Sequence, residues 1–286
     1  MKEVRLLDWD IILISVSGGK DSQVMLDEIY VQASELGILD RLVAVHADLG
    51  KDVEWPGTSE LVEEQCAHYN VPLHIVTRIG GIAAKTGKTY EKGEEYGDLT
   101  DYAERRGSWP DSQNRWCTSE FKRAPIQKLM TQVAREWRER TGLKRACRIL
   151  DCMGFRSEES PARRKREVFS RRTKVCTGRK EVWTWLPIQK WTLDQVWTRI
   201  KATGVRYHKA YDLGMPRLSC VLCIFAPKKA LILAGKHNRE ILDYYVLVEK
   251  ATGHTFRQDV TLEEIQRAVI ADEEVGKIED GGDWNM

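Results

Sequence analysis

The chain alternates short apolar runs with stretches in which apolar residues recur at helical spacing. The apolar runs predict β-strands at residues 11–16, 42–47, 73–77, 149–154 and 182–186. Helical spacing predicts helices at residues 21–36, 58–69, 119–140 and 192–202, the last one starting at the N-cap candidate Thr192. This order of elements predicts an α/β fold: a parallel twisted sheet with helices on both faces, followed by a small C-terminal helical extension.

The first predicted strand continues directly into a glycine-containing loop, Ser17-Gly18-Gly19-Lys20-Asp21-Ser22, before a helix. Glycine has no Cβ, so the backbone can turn sharply and bring its N–H groups against phosphate oxygens, while the helix N-terminus adds a favourable dipole. Lys20 adds a full positive charge. The first glycine of the Walker pattern G-x-x-x-x-G-K-[ST] is missing. We therefore predict a phosphate-binding loop of another kind, with an ordinary strand-to-helix turn as the structural alternative.

The loop resembles the PP-loop of the adenine nucleotide α-hydrolase superfamily. Members of that superfamily cleave ATP between the α and β phosphates and adenylate a substrate, or they bind a sulfonucleotide. The resemblance implies that residues 17–22 bind the phosphates of a nucleotide. It leaves the reaction open.

Asp48 directly follows the second predicted strand. The carboxyl ends of parallel strands share one edge of a sheet, so this carboxylate is expected at the same edge as the loop. It is suited to hold Mg²⁺ through water or to contact a ribose hydroxyl, and capping the next helix is an alternative of equal weight. Residues 79–114 carry six glycines among many charges, which predicts a long mobile segment beside that edge. This segment is either a lid or substrate loop, or an irregular surface insertion.

Four further motifs follow the loop in order: RWCTSEFK (residues 115–122), GFRSEESPARR (154–164), WLPIQKWT (185–192) and CVLC (220–223). Together with the loop they resemble the phosphoadenylyl sulfate (PAPS) and adenylyl sulfate (APS) reductase family over roughly residues 10–226. The resemblance implies the α/β fold of that family and an adenine nucleotide ligand, either ATP or PAPS or APS. Arg156 would contact the nucleotide phosphates or the substrate anion, because guanidinium makes paired, charge-assisted hydrogen bonds.

The chain departs from the reductase pattern at three positions. Family reductases attack the sulfate sulfur with a cysteine near the C-terminus, whereas this sequence has no cysteine after Cys223. The Cys-Cys pair that helps to bind the four-iron cluster of APS reductases is Cys117-Thr118 here. The Asp-Thr-Gly turn of the family is Asp48-Leu49-Gly50, which keeps the carboxylate and the glycine. These differences argue against sulfonucleotide reduction.

Three cysteines form a candidate metal site. Thiolates suit iron–sulfur clusters and zinc, and the spacing of Cys220 and Cys223 lets two sulfurs face one metal. With Cys117 they would hold three irons of a [4Fe–4S] cluster and leave the fourth iron open, an arrangement that resembles ATP-dependent tRNA thiolases. A closed site would take its fourth ligand from Cys147, Cys152, Cys176 or, with zinc as the runner-up metal, His208. Metal-free core cysteines are the structural alternative.

Positive charge is concentrated in residues 135–174, which hold 14 Lys and Arg against 6 Asp and Glu, whereas the whole chain has a net charge of +2. Such a segment favours an anionic partner, and nucleic acid is the candidate. Residues 259–286 are acidic and are typical of a solvated tail. Five tryptophans could stack on bases, although we expect most of them in the core: Trp109, Trp116, Trp183, Trp185 and Trp191.

A chain of 286 residues with 42% apolar residues has ample material for one large domain and an appendage. We expect a PP-loop nucleotide-binding domain at residues 1–215, then a segment at 216–286 with the C-x-x-C pair, C-terminal helices and the acidic tail. No apolar run is long enough to span a bilayer, and the N-terminus has no signal-peptide cleavage pattern. We therefore expect a cytoplasmic protein without a membrane partner.

These observations predict an enzyme that binds ATP with Mg²⁺ and cleaves it at the α-phosphate to activate a substrate oxygen. The expected catalytic residues are Lys20, Asp21, Asp48 and Arg156. Sulfur carried by the cysteine-bound cluster would then displace AMP, with nucleic acid as the favoured acceptor. A sulfur-donor protein and a second copy in a homodimer are further candidate partners. The alternatives are a PAPS or APS reductase that borrows its nucleophile, and a non-catalytic nucleotide- or nucleic-acid-binding accessory protein.

Overall fold

The computed structural model describes residues 4–78 and 99–279. Its described residues form a six-stranded sheet in the order β3-β2-β1-β4-β6-β5. The strands are β1 (Ile11–Val16), β2 (Leu42–Ala47), β3 (Leu73–Val76), β4 (Cys147–Cys152), β5 (Phe169–Arg171) and β6 (Lys180–Trp185). All neighbouring strands pair in parallel except β5, which is antiparallel to β6. The predicted α/β class with a parallel sheet is confirmed.

Helices account for most of the remaining regular structure in the described ranges. The α-helical segments are α1 (Lys20–Glu35), α2 (Thr58–His68), α3 (Leu99–Arg106), α4 (Trp116–Thr118), α5 (Ala124–Thr141), α6 (Pro161–Arg164), α7 (Leu193–Thr203), α8 (Lys228–His237), α9 (Arg239–Thr252) and α10 (Leu262–Ile270). Thr192 caps α7 as predicted: its side chain accepts a hydrogen bond from the backbone N–H of Gln195, and the Gln195 side chain completes a capping box. None of the helices in the described ranges is long and apolar enough to cross a membrane.

The chain divides into two compact units that are discontinuous in sequence. Over the described residues, the first unit comprises 4–47, 57–76 and 126–208, and the second comprises 48–56, 77–78, 99–125 and 209–279. The second unit combines segments of the N-terminal half with the C-terminal helices, a grouping that hydrophobic spacing does not report because it depends on long-range packing. The predicted domain boundary at residue 215 stays a prediction.

The first unit contains the sheet, whose central strands are buried on both faces. One core lies between the sheet and helices α1 and α7 and includes Ile12, Ile14, Leu26 and Ile200. The other lies against α5 and includes Leu13, Ile149 and Met130. Successive strand residues point to opposite faces, so a strand buried on both sides reads as a continuous apolar run, as β1 does.

The second unit has a core of its own, in which aromatic rings pack at close range. Trp109 stacks on Tyr245 with ring centroids 5.3 Å apart, and Tyr102 meets Trp116 edge-on at 4.9 Å. Trp109 and Trp116 are both buried, as expected for core residues. The three other tryptophans that the sequence singled out pack partly buried against the core of the first unit: Trp183, Trp185 and Trp191.

Several elements differ from their predictions. Strands β4 and β6 each begin two residues before the predicted start, and β5 was not predicted. The predicted helix at 119–140 opens with a π-helical turn, Ser119–Arg123, before α5. The predicted mobile segment at 79–114 is wrong for its described part, since α3 buries Leu99, Tyr102 and Ala103. Residues 79–98 of that segment lie outside the described residues.

Candidate functional site

The loop between β1 and α1 is a tight turn that ends at a helix N-terminus. Gly18 has φ +68°, a conformation that side chains rarely adopt, and Gly19 is the N-cap of α1. The Ser22 hydroxyl donates to the Gly19 carbonyl at 2.9 Å and accepts from the Ser17 backbone N–H at 3.2 Å. These bonds hold both ends of the turn to one side chain. The N–H groups of the first helical turn have no partner within the helix, so they can receive an anion.

Lys20 and Asp21 open α1 with opposite charges. The Lys20 side chain is only 1% exposed, which is unusual for lysine, and its Nζ lies 3.5 Å from Oδ2 of Asp21. A carboxylate in the first turn of a helix interacts favourably with the helix dipole. A buried ammonium beside a helix N-terminus therefore adds to a positive potential that Asp21 offsets in part.

Arg156 reaches the same carboxylate from the segment after β4. Its side chain is 1% exposed, and Nε donates to Oδ1 of Asp21 at 2.5 Å. Nη1 donates to Oε2 of Glu158 at 2.9 Å. The same oxygen of Glu158 accepts the backbone N–H of Leu193, the first residue of α7, also at 2.9 Å. Arg156 is thus held between two carboxylates, one on the loop helix and one at the start of α7.

Gly154 explains how Arg156 can come so close to the loop. A Cβ built on Gly154 would lie 2.8 Å from the carbonyl oxygen of Asp21 and 3.0 Å from the backbone nitrogen of Ser22. Both of these are backbone atoms of α1 and cannot move aside as a flexible side chain would. Glycine is therefore required here by the close approach of two backbones.

His46 is a site residue that the sequence analysis did not identify. It lies buried in β2, paired in register with Val16, and its Nδ1 is 3.2 Å from the Val16 carbonyl oxygen. A carbonyl oxygen only accepts, so Nδ1 carries the hydrogen of this bond. Val16 directly precedes Ser17, so His46 supports the residue from which the loop leaves the sheet. Histidine spacing gave no signal for this, because the contact depends on strand register.

Asp48 directly follows β2, as predicted, and lies in the second unit. Its Oδ1 accepts the backbone N–H of Gly50 at 2.9 Å. This contact is an Asx turn, in which the carboxylate stabilises the chain that follows the strand. Its predicted contact with Mg²⁺ or a ribose remains a prediction.

The three candidate metal-binding cysteines all lie half-buried in the second unit, packed against its core. Burial raises the pKa of the Cys220 thiol; Lys122 opposes that rise, and Cys223 and Cys117 add to it. Burial also raises the pKa of Cys223. Metal ligation needs thiolates, and within residues 4–78 and 99–279 no group of three or more His, Cys, Asp or Glu side chains is arranged to hold a metal ion. As arranged, these thiols do not fit a resident cluster or zinc.

The four residues proposed to close that site lie in the first unit. Cys147 and Cys152 are fully buried in β4, and the Cys176 thiol lies 3.3 Å from the backbone nitrogen of Val182. His208 is buried, with its Nε2 lying 3.4 Å from the Thr58 hydroxyl. These contacts are typical of residues that stabilise the core of the first unit.

A mostly parallel sheet with a glycine turn leading from β1 into α1 defines an α/β protein with a loop at a helix N-terminus that can receive an anion. The chain belongs to the phosphoadenosine phosphosulfate reductase domain family, whose model matches residues 11–226. The match covers the loop, the segment around Arg156 and the C-x-x-C pair, which confirms the resemblance drawn from the motifs.

Two curated proteins are similar in sequence. An uncharacterized 37.8 kDa protein of Escherichia phage 186 is 24% identical over 250 residues, covering 77% of this chain and 68% of that protein. The adenosine 5'-phosphosulfate reductase of Staphylococcus saprophyticus is 31% identical over 75 residues, covering 24% of this chain and 27% of the reductase.

Solved structures with a similar fold include a PAPS reductase from Candida auris in a phosphate complex, with 18% identity, 73% of this chain and 80% of that chain covered, and a TM-score of 0.43. Candida glabrata FMN adenylyltransferase with FAD and inorganic pyrophosphate is 15% identical, with 75% of this chain and 57% of that chain covered and a TM-score of 0.45. The U34-tRNA thiolase NcsA from Methanococcus maripaludis, solved with its [4Fe-4S] cluster, is 14% identical, with 95% of this chain and 75% of that chain covered and a TM-score of 0.41.

Proposed function

We propose that the chain binds ATP with its phosphates on the loop at residues 17–22 and cleaves it at the α-phosphate. An acceptor oxygen attacks the α-phosphorus, the bond from that phosphorus to the bridging oxygen breaks, and pyrophosphate leaves with the electron pair. The products are an adenylated acceptor, pyrophosphate and the proton of the acceptor. With water as acceptor, the products are AMP and pyrophosphate.

The observation that carries this proposal is the convergence of two buried cations on the first turn of α1. Lys20 and Arg156 are each 1% exposed, and both lie against the Asp21 carboxylate. Burying cations is costly unless anions accompany them. A triphosphate at the helix N-terminus would supply further negative charge, and cations at this position stabilise the charge that develops on a leaving pyrophosphate.

Each site residue then has a distinct task. The amides of the loop and Lys20 bind phosphate oxygens. Arg156 positions Asp21 and contributes positive charge, while Asp48 is the proposed ligand for Mg²⁺ or ribose. The hydroxyl of Ser22 holds the turn closed.

The test measures ATP binding by calorimetry and product formation by phosphorus NMR. Wild-type protein should bind ATP and, on turnover, give AMP and pyrophosphate. Lys20→Met should weaken ATP binding by tenfold or more, because it removes the buried ammonium. Lys201→Met is the matched control: Lys201 is an exposed lysine of α7, so this variant should bind as wild type does. ADP and phosphate as products, or unchanged affinity in Lys20→Met, would refute the proposal.

The same assay separates the two alternatives. A reductase would release sulfite from PAPS or APS when thioredoxin is supplied, and would not need ATP. An accessory protein would bind ATP without forming AMP.

Sulfur transfer to nucleic acid remains a prediction from the sequence. We derive no step through a cluster, because the three thiols of the second unit are not arranged to hold one. Iron, zinc and acid-labile sulfide measured on protein purified without oxygen test that prediction. Iron and sulfide in a one-to-one ratio, lost in Cys223→Ser, would support the cluster.

A further inference from the structure

A second concentration of positive charge lies in the first unit, away from the phosphate-binding loop. A cavity of about 350 Å³ is lined by Arg135, Arg138, Glu139, Lys144 and Arg179, among others. We name this cavity the α5 pocket. Lys144 precedes β4, and Arg179 immediately precedes β6, so the pocket lies at the amino ends of these strands. The loop follows the carboxyl end of β1, which is parallel to β4, so the two sites lie at opposite edges of the sheet.

The cations of the α5 pocket come from three separate parts of the chain. Arg135 and Arg138 lie on α5, Lys144 follows the end of that helix, and Arg179 comes from the turn before β6. Basic residues in the last turn of a helix offset its dipole, which accounts for Arg138. It does not account for Arg179, which the fold brings in from elsewhere. Like charges that converge in this way destabilise the folded chain unless an anion joins them.

Acidic groups do little to neutralise the pocket. Glu139 is the one acidic residue in its lining, and it lies 3.9 Å from Arg135 with both side chains well exposed. The Nη2 of Arg138 donates to the Lys144 carbonyl, whereas its Nε is buried with no partner among the described residues. A buried guanidinium N–H without an acceptor is costly, so Arg138 has donor capacity that the described protein groups leave unsatisfied.

Other arginines of the basic segment are neutralised by acidic residues of the protein itself. Arg145 forms an ion pair with Asp10 at 2.6 Å, and Arg172 pairs with the buried Asp151 at 2.5 Å. Arg163 pairs with Glu159. Within the basic segment at 135–174, these arginines are therefore used for folding, whereas Arg135, Arg138 and Lys144 line the pocket.

We propose that the α5 pocket binds the phosphodiester backbone of a nucleic acid without reading its bases. The cavity is lined by long charged side chains and no aromatic ring, so it offers phosphate contacts but no stacking platform. Strands β4 and β6 have six residues each, so about 20 Å separate the two edges of the sheet. A nucleic acid in the pocket is thus docked apart from the loop, and the proposal does not depend on nucleotide cleavage.

The experiment measures fluorescence anisotropy of a labelled 12-nucleotide single strand with the full chain between 50 and 300 mM NaCl. Four phosphate contacts predict a slope of log affinity against log salt of about −3. Arg135→Ala with Arg179→Ala should reduce that slope to about half and raise Kd roughly tenfold at 100 mM salt. Lys190→Ala with Lys201→Ala removes the same charge from exposed positions elsewhere and should leave the slope unchanged. Glu139→Gln should tighten binding.

Equal effects of the two double variants would overturn the proposal, since the protein would then attract DNA only through its net charge. Absence of binding at 50 mM salt would also overturn it. Inorganic pyrophosphate is added as a competitor for the phosphate-binding loop at residues 17–22. If 1 mM pyrophosphate displaces the strand and Lys20→Met abolishes its binding, the strand occupies the phosphate-binding loop and the assignment is wrong. The same titration with RNA and with duplex DNA of the same sequence shows which kind of nucleic acid the α5 pocket binds most tightly.

Discussion

The Nε of Arg156 lies 2.5 Å from Oδ1 of Asp21, although 135 residues separate them along the chain. This bond ties the segment after β4 to the first turn of the helix that follows the glycine loop. A second donor of the same guanidinium, Nη1, is bonded to Glu158. Two N–H donors of Arg156 are thus already used within the protein, which leaves fewer of them for a nucleotide. We infer that Arg156 acts in part by positioning Asp21.

Arg156→Met should destabilise the protein and weaken ATP binding together. Removing the buried guanidinium takes one of two neighbouring cations from the Asp21 carboxylate, so we expect a loss of about 3 kcal/mol in the free energy of unfolding. Arg206→Met is the control, since Arg206 pairs with Glu64 on the surface and should contribute less than about 1 kcal/mol. Urea unfolding and ATP calorimetry measure both effects. Similar losses in the two variants would contradict the buried role of Arg156.

Gly154→Ala should disturb the phosphate-binding loop through the backbone that packs against Asp21 and Ser22. Its new methyl group would lie 2.8 Å from the Asp21 carbonyl oxygen, so the backbone after β4 or the start of α1 must shift. Overpacking of this kind costs about 1–3 kcal/mol, and we expect ATP affinity to fall with it. Gly178→Ala is the matched control, because nothing lies within 4 Å of its added Cβ. An Arg156 variant and Gly154→Ala should also be non-additive, since both act on Asp21.

His46 can be tested with two amides of different length. His46→Asn places an N–H near the position of Nδ1 and should keep the bond to the Val16 carbonyl, whereas His46→Gln places it near Nε2 and should lose that bond. A lost buried hydrogen bond costs about 1–3 kcal/mol. We expect ATP affinity within about threefold of wild type for His46→Asn and a roughly tenfold loss for His46→Gln. Equal affinities would show that His46 only fills space.

Buried thiols predict how stability depends on alkaline pH. Burial raises the pKa of Cys66 to about 12 and, as the largest of several causes, that of Cys147 to about 12. In the unfolded chain these thiols ionise near pH 8.5. Below that pH both states are protonated and the stabilisation is complete. Between about pH 9 and 12 only the unfolded state loses protons, so stability falls as pH rises.

Urea unfolding at several values between pH 8 and 10 measures this fall. Cys66→Ala should be less stable at pH 7 because it leaves a cavity, yet its stability should decline less steeply above pH 9. The difference in slope should approach about 1 kcal/mol per pH unit for one thiol. Parallel curves for the variant and wild type would show that Cys66 ionises freely in the folded protein.

The sequence predicts β1 and β2 to the residue, because each is an apolar run that ends at a polar loop. It does not predict β5, since Phe169–Arg171 is three residues long and lies in a charged stretch at the edge of the sheet. Its periodicity is too short to stand out from its surroundings.

The site shows the same division between local and long-range information. The glycine loop is visible from its own residues, because the chemistry of phosphate binding is contained in six consecutive positions. The carboxylate partners of Arg156 and the support from His46 are not visible, since they depend on strand register and on the approach of distant segments. The thiols illustrate the opposite error, because the spacing of Cys220 and Cys223 suggested metal ligands that the fold does not gather into a metal-binding group.

Glu158 has one oxygen that serves two elements, the guanidinium of Arg156 and the first N–H of α7. The same guanidinium donates to Asp21 in the first turn of α1. The start of α7, Arg156 and the start of α1 are therefore joined by a continuous chain of hydrogen bonds, in which a single carboxylate oxygen is the joint between two helices.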